Sequence, residues 1–486
     1  MFGILVGKEL RAILFSPKFA VTFGVCSLLI LLSVYTGIQE YRAARESWHT
    51  AVRLADDQAA QAVTWRHFRY KTLREPDPMR VFVSGLTNDI GRWSSVTTSE
   101  SIKLRHSSYS DDPIFAMFRM IDFAFIVQIV LSLLAILFTY DAVSGERESG
   151  TLRLIFANGV TRAGYLLAKC TGAWLGLVVP IAIPVLLGVL LVIVFGVPMT
   201  SLHWLKLAML VGVSLLFFTL FIVLGVLVSS LTRRSSVSFL VALVLWIGFV
   251  LIIPRAGTMA AGQMVHVPRV AEVEGKRDGF AKNEWKAHWD DMEERFEADR
   301  RATEEAGEGV DEDAAMWMQM EREDALRKEV EQRIEAYEVE LLEDLRRRKV
   351  MQERLALSLS RFSPASSYQL AAMNLAGTDV GLKRRYEESM TRYREEWSEH
   401  VERKQAETGE MGGFVSIQID SEKGISIGSG RDDQTVDLSD MPRYQAPVQS
   451  YEEVLATVVP DIGILSIGII LAFLGAFVAF LRYDVR

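Results

Sequence analysis

Six long apolar runs constrain this chain more than any other feature of its sequence. An α-helix needs about 20 apolar residues to cross the ~30 Å hydrocarbon layer of a bilayer, and each run is close to that length. A soluble core is built from shorter apolar stripes. The sequence therefore predicts an α-helical polytopic membrane protein with six transmembrane helices, called spans below. The runs are Phe19–Ile38, Phe123–Tyr140, Ala173–Phe195, Leu207–Val228, Val237–Ile253 and Ile462–Leu481.

Basic residues in the short loops predict the orientation of these spans. With the N-terminus inside, the cytoplasmic pieces are residues 1–18, 141–169, 229–236 and 482–486, and each of them carries Lys or Arg. The short outer loop Gly196–His203 carries neither. Because Lys and Arg in short loops stay on the cytoplasmic side, we expect both termini to be cytoplasmic. Residues 1–18 are also amphipathic, which is typical of a helix that lies on a membrane surface.

Two large segments, residues 39–113 and 254–455, then face outward. Pro254 to Glu453 holds 29 Lys and Arg against 44 Asp and Glu, a net charge of -15, whereas the rest of the chain carries +7. Phosphate binding needs a basic surface. An acidic appendage therefore argues against nucleic acid as a partner, and it leaves membrane lipid and an extracytoplasmic protein as the expected contacts of this part of the chain.

The acidic segment contains two narrow apolar stripes at helical spacing. Steps of three and four residues place apolar side chains on one face of a helix. Two stripes of matching pitch predict an antiparallel, coiled-coil-like helix pair. After Gly412, alternating residues in Phe414–Ile419 and Gly424–Ile427 predict a small β-hairpin. The stripes are Leu326, Val330, Ile334, Tyr337, Leu341 and Leu345, and Leu382, Tyr386, Met390, Tyr393, Trp397 and Val401.

The loop after the second span carries the strongest local motif. It reads Tyr140-Asp-Ala-Val-Ser-Gly-Glu-Arg-Glu-Ser-Gly-Thr-Leu-Arg-Leu, followed by Gly159-Val-Thr-Arg and Lys169. Here the sequence resembles the ABC-2 type permease family, in which a span ends in an acidic residue followed by Ser-Gly-Glu-Arg, Gly-Thr-Leu and Arg. Gly159 stands where that family usually has Pro. The order of loops resembles a subgroup with large extracytoplasmic loops after the first and fifth spans.

This resemblance implies that residues 141–169 form a coupling loop that docks on a separate ATPase subunit. It also implies that residues 1–18 form an elbow helix on the inner leaflet of a bacterial cytoplasmic (inner) membrane. The residues themselves are compatible with docking, because a glycine interrupts the helix start, the next Thr can cap, and the charges are mixed. The alternative is an ordinary membrane-proximal loop with solvated charges. The implied docking residues are Glu146, Glu148, Gly150, Thr151, Leu152 and Arg162.

Four residues near or within spans are candidates for a transport path. Asp122 and Asp461 fall at the outer ends of the second and sixth spans, and carboxylates within a membrane are costly and often functional. Water reaches such groups near the interface, so ordinary solvated carboxylates are the competing interpretation. Pro180 and Pro184 interrupt the third span and predict a kink there, with a gating hinge or simple packing as its use.

The sequence contains no arrangement typical of catalysis or of a bound cofactor. Its seven histidines are scattered without metal-ligand spacing, and its two cysteines, Cys26 and Cys170, fall in apolar runs. Three residues separate the two glycines of Gly3-Ile-Leu-Val-Gly-Lys, one fewer than a phosphate loop requires. We therefore expect a non-catalytic subunit with no cofactor of its own, whose partner ATPase binds ATP and Mg²⁺.

The predicted function is a permease subunit that exports a substrate, paired with an ABC ATPase and with a second permease protomer in a homo- or heterodimer. The runner-up is a mechanotransmitting subunit that relays closure of the ATPase to an extracytoplasmic partner without carrying substrate. A membrane-anchored scaffold or sensor is a third class. The coupling motif disfavours it, because a sensor usually has one or two spans and a cytoplasmic output domain. The sequence names no substrate.

Overall fold

The computed structural model describes residues 2–60, 70–91, 93–96, 121–306, 312–408, 416–420, 424–428 and 440–482. Within these residues, six helical stretches are long and apolar enough to cross a membrane, which confirms the polytopic α-helical fold. By contact the chain divides into two compact units. The first comprises Met1–Leu251 and Ser363–Arg486, and the second comprises Ile252–Phe362.

The N-terminal part of the chain is two helices separated by a short break. Helix α1 is Phe2–Leu14 and helix α2 is Pro17–Ala60. Ser16 stabilises the break, because its Oγ accepts a hydrogen bond from the Phe19 amide at 3.1 Å. Pro17 is the first residue of α2, a position whose N–H would have no partner within the helix. Helix α2 thus contains the first span and continues past it for about six turns.

After residue 69 the chain packs back on the outer part of the first span. Strands β1 (Tyr70–Leu73) and β2 (Trp93–Val96) pair antiparallel, with Leu73 opposite Trp93. The short 3₁₀ helix Pro78–Val81 lies between them and is capped by Asp77, whose carboxylate accepts from the Met79 amide at 2.8 Å. Helix α2 extends to Ala60 and Thr72 lies in β1, so the helix that continues the first span ends before Thr72.

The second and fifth spans share an unusual feature, a π-helical segment in mid-span. The second span consists of a turn at Phe123–Phe125, the π segment Ile126–Leu131 and helix α3 (Ser132–Thr139). The fifth consists of helix α8 (Ser235–Trp246), the π segment Ile247–Ile252 and helix α9 (Ile253–Met264). A hydrogen bond from the Trp246 indole to Ser132 Oγ, at 2.8 Å, joins the second and fifth spans. Each of these residues lies next to the π segment of its span.

Single unbroken helices form the third, fourth and sixth spans. They are α6 (Arg162–Val194), α7 (Ser201–Leu231) and α14 (Tyr451–Leu481). Between the second and third spans lie two short helices, α4 (Ser144–Glu148) and α5 (Thr151–Ala157). Glycines permit close packing of α14 on α7, because a Cβ at Gly468 or Gly475 would lie 3.3 Å from Leu220 or Leu227.

A short helix that sequence alone does not identify as a span is buried among the spans. Helix α12 (Pro364–Ala376) packs on α7 and α14. Its Tyr368 stacks on Phe217 with ring centroids 4.7 Å apart and shares a hydrogen bond with Ser214 at 3.2 Å. Its apolar, nearly uncharged sequence follows from this position, since a charge here would lose its hydration.

The second unit contains a long antiparallel helical hairpin. Helix α10 (Val270–Ala306) pairs with α11 (Glu312–Ser360). Phe280 stacks on Tyr337 with centroids 4.2 Å apart, and Arg333 Nε lies 2.9 Å from Glu284 Oε2. The apolar stripe of α11 therefore faces α10 within its own unit.

The stripe of helix α13 (Leu382–Thr408) has a different partner, so the predicted pairing of the two stripes is wrong. The α13 stripe is covered within the first unit by Ile90 and by the returning segment 440–446, where Tyr444 lies against Tyr393. The Lys404 ammonium, 2.7 Å from the Asp440 carboxylate, holds the pKa of Asp440 below its usual value and fastens this segment. The predicted small hairpin is confirmed as strands β3 (Ser416–Asp420) and β4 (Gly424–Gly428).

Close packing of the outer loop on α2 yields a stability prediction. A Cβ at Gly37 would lie 2.4 Å from the Val81 carbonyl oxygen, whereas a Cβ at Gly24, on the same helix, has no atom within 4 Å. Because a backbone oxygen cannot turn aside, Gly37→Ala should cost about 1–3 kcal/mol, and Gly24→Ala should be neutral or stabilising. Thermal unfolding of the two purified variants tests this. Equal midpoints would contradict the packing.

Candidate functional site

The predicted coupling loop folds as two short helices braced against the ends of the spans. Gly150 has φ +74° and is the N-cap of α5, a conformation that L side chains rarely adopt. Thr151 was expected to cap this helix, and it does not. Its hydroxyl instead donates to the Glu146 carbonyl at 3.3 Å. Thr161 caps α6 by accepting from the Gly164 amide at 3.2 Å, so Arg162 belongs to the first turn of the third span.

Glu146 is the centre of a half-buried polar cluster that joins three helices. Its Oε1 lies 2.5 Å from Lys8 Nζ of α1 and 2.8 Å from Lys169 Nζ of α6. Its Oε2 accepts from the Tyr165 hydroxyl at 2.6 Å. Lys169 also pairs with Glu9 of α1 at 2.6 Å, and its side chain is only 6% exposed. Glu146 is therefore used within the chain, and its carboxylate does not face outward. We call these five residues the Glu146 cluster.

The neighbouring residues of α4 bind the end of the fourth span. Arg147 donates from Nη1 to the Thr232 carbonyl at 2.7 Å and from Nη2 to the Ser230 carbonyl at 3.2 Å. The Ser229 hydroxyl accepts from the amides of Val143 and Ser144, each at 3.0 Å. The last carbonyls of a helix have no partner within it, so these contacts satisfy the C-terminal end of α7.

Two more charged residues of the loop cap the fifth and sixth spans. Glu148 accepts from the amide and the hydroxyl of Ser235, the first residue of α8, at 3.1 and 2.9 Å. Arg162 donates to the Leu481 carbonyl at 2.5 Å, near the end of α14. Each contact places a charge where the helix dipole favours it. The segment from Val143 to Lys169 thus holds α1 and the ends of four spans.

Apolar packing buries one face of α5 and leaves the opposite face exposed. Leu152 is 2% exposed and packs with Val143, Tyr165 and Phe480. On the opposite face, Arg153 and Ala157 are exposed and Leu154 is 67% exposed. Of the six implied docking residues, Glu148, Gly150 and Thr151 are exposed, whereas Glu146, Leu152 and Arg162 make contacts within the chain.

The four transport-path candidates do not come together as one site in the structure. Asp122 caps the second span, accepting from the Phe125 amide at 2.8 Å, and it also accepts from the amide and hydroxyl of Ser84, both at 3.0 Å. Asp461 is fully buried in α14. Pro180 and Pro184 lie inside α6, which is continuous through both. Through its hydrogen bonds Asp122 fastens Ser84, and with it the segment after the 3₁₀ helix Pro78–Val81, to the start of the second span.

Sequence reasoning did not find a second polar cluster at the opposite ends of the spans. Arg385 binds Asp379 through two nitrogens, at 3.0 and 2.9 Å. The buried Lys206 near the start of α7 interacts electrostatically with Asp379 and with Asp77, and His203 Nε2 lies 3.9 Å from Asp77 Oδ1. The only sequence signal was a lysine placed next to an apolar run. We call these five residues the outer cluster.

The two cysteines are reduced, with Cys26 buried and Cys170 half-buried. Within the described ranges, no group of three His, Cys, Asp or Glu side chains is arranged to hold a metal ion. The polar clusters described above consist of ion pairs and helix caps. Their role in the described part of the chain is to hold helices together.

Six candidate spans with a braced loop on one side define a multi-pass α-helical membrane protein. The sequence matches the family model described as ABC-2 family transporter protein over residues 4–485, and the chain belongs to this family. It is accordingly an ABC transporter permease, a membrane transport component of a kind that is generally non-catalytic and that works with an ABC ATPase in a dimeric arrangement. Among curated proteins, none matches the sequence.

The Glu146 cluster predicts a difference between two neighbouring carboxylates. Glu146→Gln removes the charge that Lys8 and the buried Lys169 share, at a cost of about 1–3 kcal/mol. Backbone amides of α1 should then exchange hydrogen faster, measured by mass spectrometry on the purified full chain. Glu148→Gln removes an exposed carboxylate that touches neither lysine, and α1 should exchange as in wild type. Equal exchange of α1 in the two variants would contradict the role given to Glu146.

Proposed function

We propose that this chain is the membrane subunit of an exporter in the bacterial inner membrane, driven by a separate ATPase that docks on the exposed face of α5. The observation that supports this best is the asymmetry of α5. Its inner face is anchored by Leu152, while Arg153, Leu154 and Ala157 face outward beside Gly150 and Thr151. Leu154 and Ala157 form a small exposed apolar surface next to Arg153, Gly150 and Thr151, and an apolar centre with a polar rim suits contact with another protein.

The anchoring of the loop supports a role in transmitting force. A partner that pushes on α5 displaces α4 with it, because the turn between them contains only Ser149 and Gly150. Glu146 and Arg147 then carry the displacement to α1, α6 and α7, while Glu148 and Arg162 carry it to α8 and α14. Short polar contacts to several helices suit this role, since packed helices shift as units by about 1–2 Å.

In this proposal the partner ATPase binds ATP and Mg²⁺ and carries out the hydrolysis. The sequence contains no phosphate loop. The residues of the Glu146 cluster bind one another. Both termini and the docking face lie on the cytoplasmic side, in agreement with the basic residues of the loops there. A second permease protomer completes the transporter.

The docking face is tested by changing only exposed residues of α5. The double variant Arg153→Glu, Leu154→Asp places two acidic groups on the proposed contact and leaves Leu152 and the Glu146 cluster intact. We expect ATPase binding to weaken about ten- to hundredfold, since charged groups left unpaired at an interface cost about 1–3 kcal/mol each. The measurement is the amount of ATPase that co-purifies at equal permease levels.

Arg233→Glu is the matched control, because it reverses an exposed charge in the neighbouring turn between α7 and α8. Reversal of Glu146 would be a poorer test, since it would also break the contacts to Lys8 and Lys169. If the α5 double variant retains as much ATPase as wild type and the Arg233 variant, docking on α5 is refuted.

A second candidate function, mechanotransmission without a substrate path, is favoured by the two ends of α7. This helix is bound by Arg147 at its C-terminal end, and its N-terminal end bears His203 and Lys206 of the outer cluster. The outer cluster includes Arg385 at the start of α13. One rigid helix therefore connects the coupling loop with the base of a large extracytoplasmic segment.

Hydrogen exchange in the complex with the ATPase tests this second function. If α7 relays motion, adding ATP should change amide exchange at residues 382–390 in wild type, and the change should be lost in Arg147→Gln, which releases the end of α7. Arg233→Gln should keep the wild-type response. Unchanged exchange at residues 382–390 in wild type would refute mechanotransmission through α7 and leave the export proposal standing.

A further inference from the structure

A basic groove lies at the ends of the first and third spans that are remote from the coupling loop. One wall is the part of α2 from Tyr41 to Arg53, and the other is the turn Phe195–Val197 at the end of α6. The groove has a volume of about 560 Å³ and is open to solvent on one side. Both walls belong to the first unit.

The groove carries excess positive charge that the described part of the chain leaves unpaired. Of the described residues that line it, Arg42, Arg45 and Arg53 are basic and Glu46 is the single acid. Among the described residues, none of these three guanidinium groups forms an ion pair with a carboxylate. Arg42 lies over the ring of Phe195, 5.8 Å from its centroid. This differs from Arg147, Arg162 and Arg385, which are all bound to specific acceptors, and it leaves the groove able to bind an anion.

The depth of Arg42 matches the phosphate layer of a membrane, and Arg45 lies about one helical turn further out, within reach of a long side chain. The apolar run of α2 ends at Ile38, so Arg42 and Arg45 lie about 6 and 10 Å beyond it at ~1.5 Å per residue. The headgroup region of a bilayer is about 5–8 Å thick on each side. Guanidinium groups at this depth can bind phosphate through two parallel hydrogen bonds.

Below the arginines the same face of α2 is apolar and exposed. Leu28, Tyr35, Arg42 and His49 are seven residues apart and share one helix face, and Leu28 is 66% and Tyr35 45% exposed. The Tyr35 ring lies 6.0 Å from that of Phe195, so the stripe leads into the groove. Across from it, Leu190 and Val194 of α6 are also exposed. A ligand with a phosphate and acyl chains fits both the basic groove and the apolar stripe next to it. A free anion would contact only the basic groove.

We propose that this groove is a binding site for the phosphate headgroup of an anionic phospholipid, in the leaflet opposite the coupling loop. Arg42 and Arg45 bind the phosphate, His49 and Arg53 line the outer part of the groove, and Tyr35 with its apolar neighbours contacts the acyl chains. The proposal involves neither the ATPase nor α5, so it stands apart from the function proposed above.

The test is lipid binding to the purified full chain in detergent, counted by native mass spectrometry. The probes are dioctanoyl phosphatidylglycerol, dioctanoyl phosphatidylcholine and glycerol 3-phosphate. Wild type should bind phosphatidylglycerol at least about tenfold more tightly than either of the other two. Arg42→Gln, Arg45→Gln should lose this preference, a weakening of about tenfold or more from the loss of two charged hydrogen-bond donors.

Arg255→Gln, Arg269→Gln is the control, because it removes two exposed arginines that lie outside the groove. It should bind phosphatidylglycerol as wild type does. Wild-type affinity in the Arg42, Arg45 variant would overturn the proposal, and so would equal binding of the two lipids. Glycerol 3-phosphate bound as tightly as phosphatidylglycerol would show a site for free anions and overturn the assignment to lipid.

Discussion

The arrangement of the spans depends on one carboxylate, that of Glu146. Lys169 is nearly buried, and a buried ammonium is stable only with good partners. The carboxylates of Glu146 and Glu9 are these partners, 2.8 and 2.6 Å from the Lys169 Nζ. Glu146 also pairs with Lys8 and accepts a hydrogen bond from the Tyr165 hydroxyl. This one group therefore fixes α1 against α4 and α6. The adjacent residues, Arg147 and Glu148, bind the ends of α7 and α8, so one short helix organises α1, α6, α7 and α8 at this end of the bundle.

Polar contacts of this kind have a specific role in a membrane protein. Lipid tails are as apolar as the helix surfaces, so burial of apolar area does little to choose which helices touch. Close packing at glycines and polar contacts near the span ends must therefore determine which helices contact one another. Here α7 packs on α14 through Gly468 and Gly475, and it is bound by charged residues at both ends. We infer that α7 is the rigid element that links the two sides of the membrane.

The spans were predictable from sequence because a membrane helix must satisfy all its backbone polar groups internally, which demands long apolar runs. The partners of Glu146 were not, since Lys8 and Lys169 are distant in sequence and are indistinguishable there from ordinary basic residues of cytoplasmic loops. The stripes of α11 and α13 show a related limit. Periodicity identifies the face that is buried, but Tyr337 and Tyr393 do not reveal which element covers them. The positive φ of Gly150 was not predicted, because the motif contains the glycine but does not give its backbone conformation.

In the proposed function, α4 and α5 move as one body with the end of the fourth span. Spin labels at Asn158→Cys and Leu231→Cys, with Cys26 and Cys170 replaced by alanine, report this directly, because both sites are exposed. The distance between the labels is measured in the complex with the ATPase, without and with ATP. The clamp formed by Arg147 predicts one narrow distance that changes by less than about 2 Å, the scale of a packed-helix shift. A change of more than about 5 Å, a full helical turn, would show that the loop moves independently of α7 and would contradict this account.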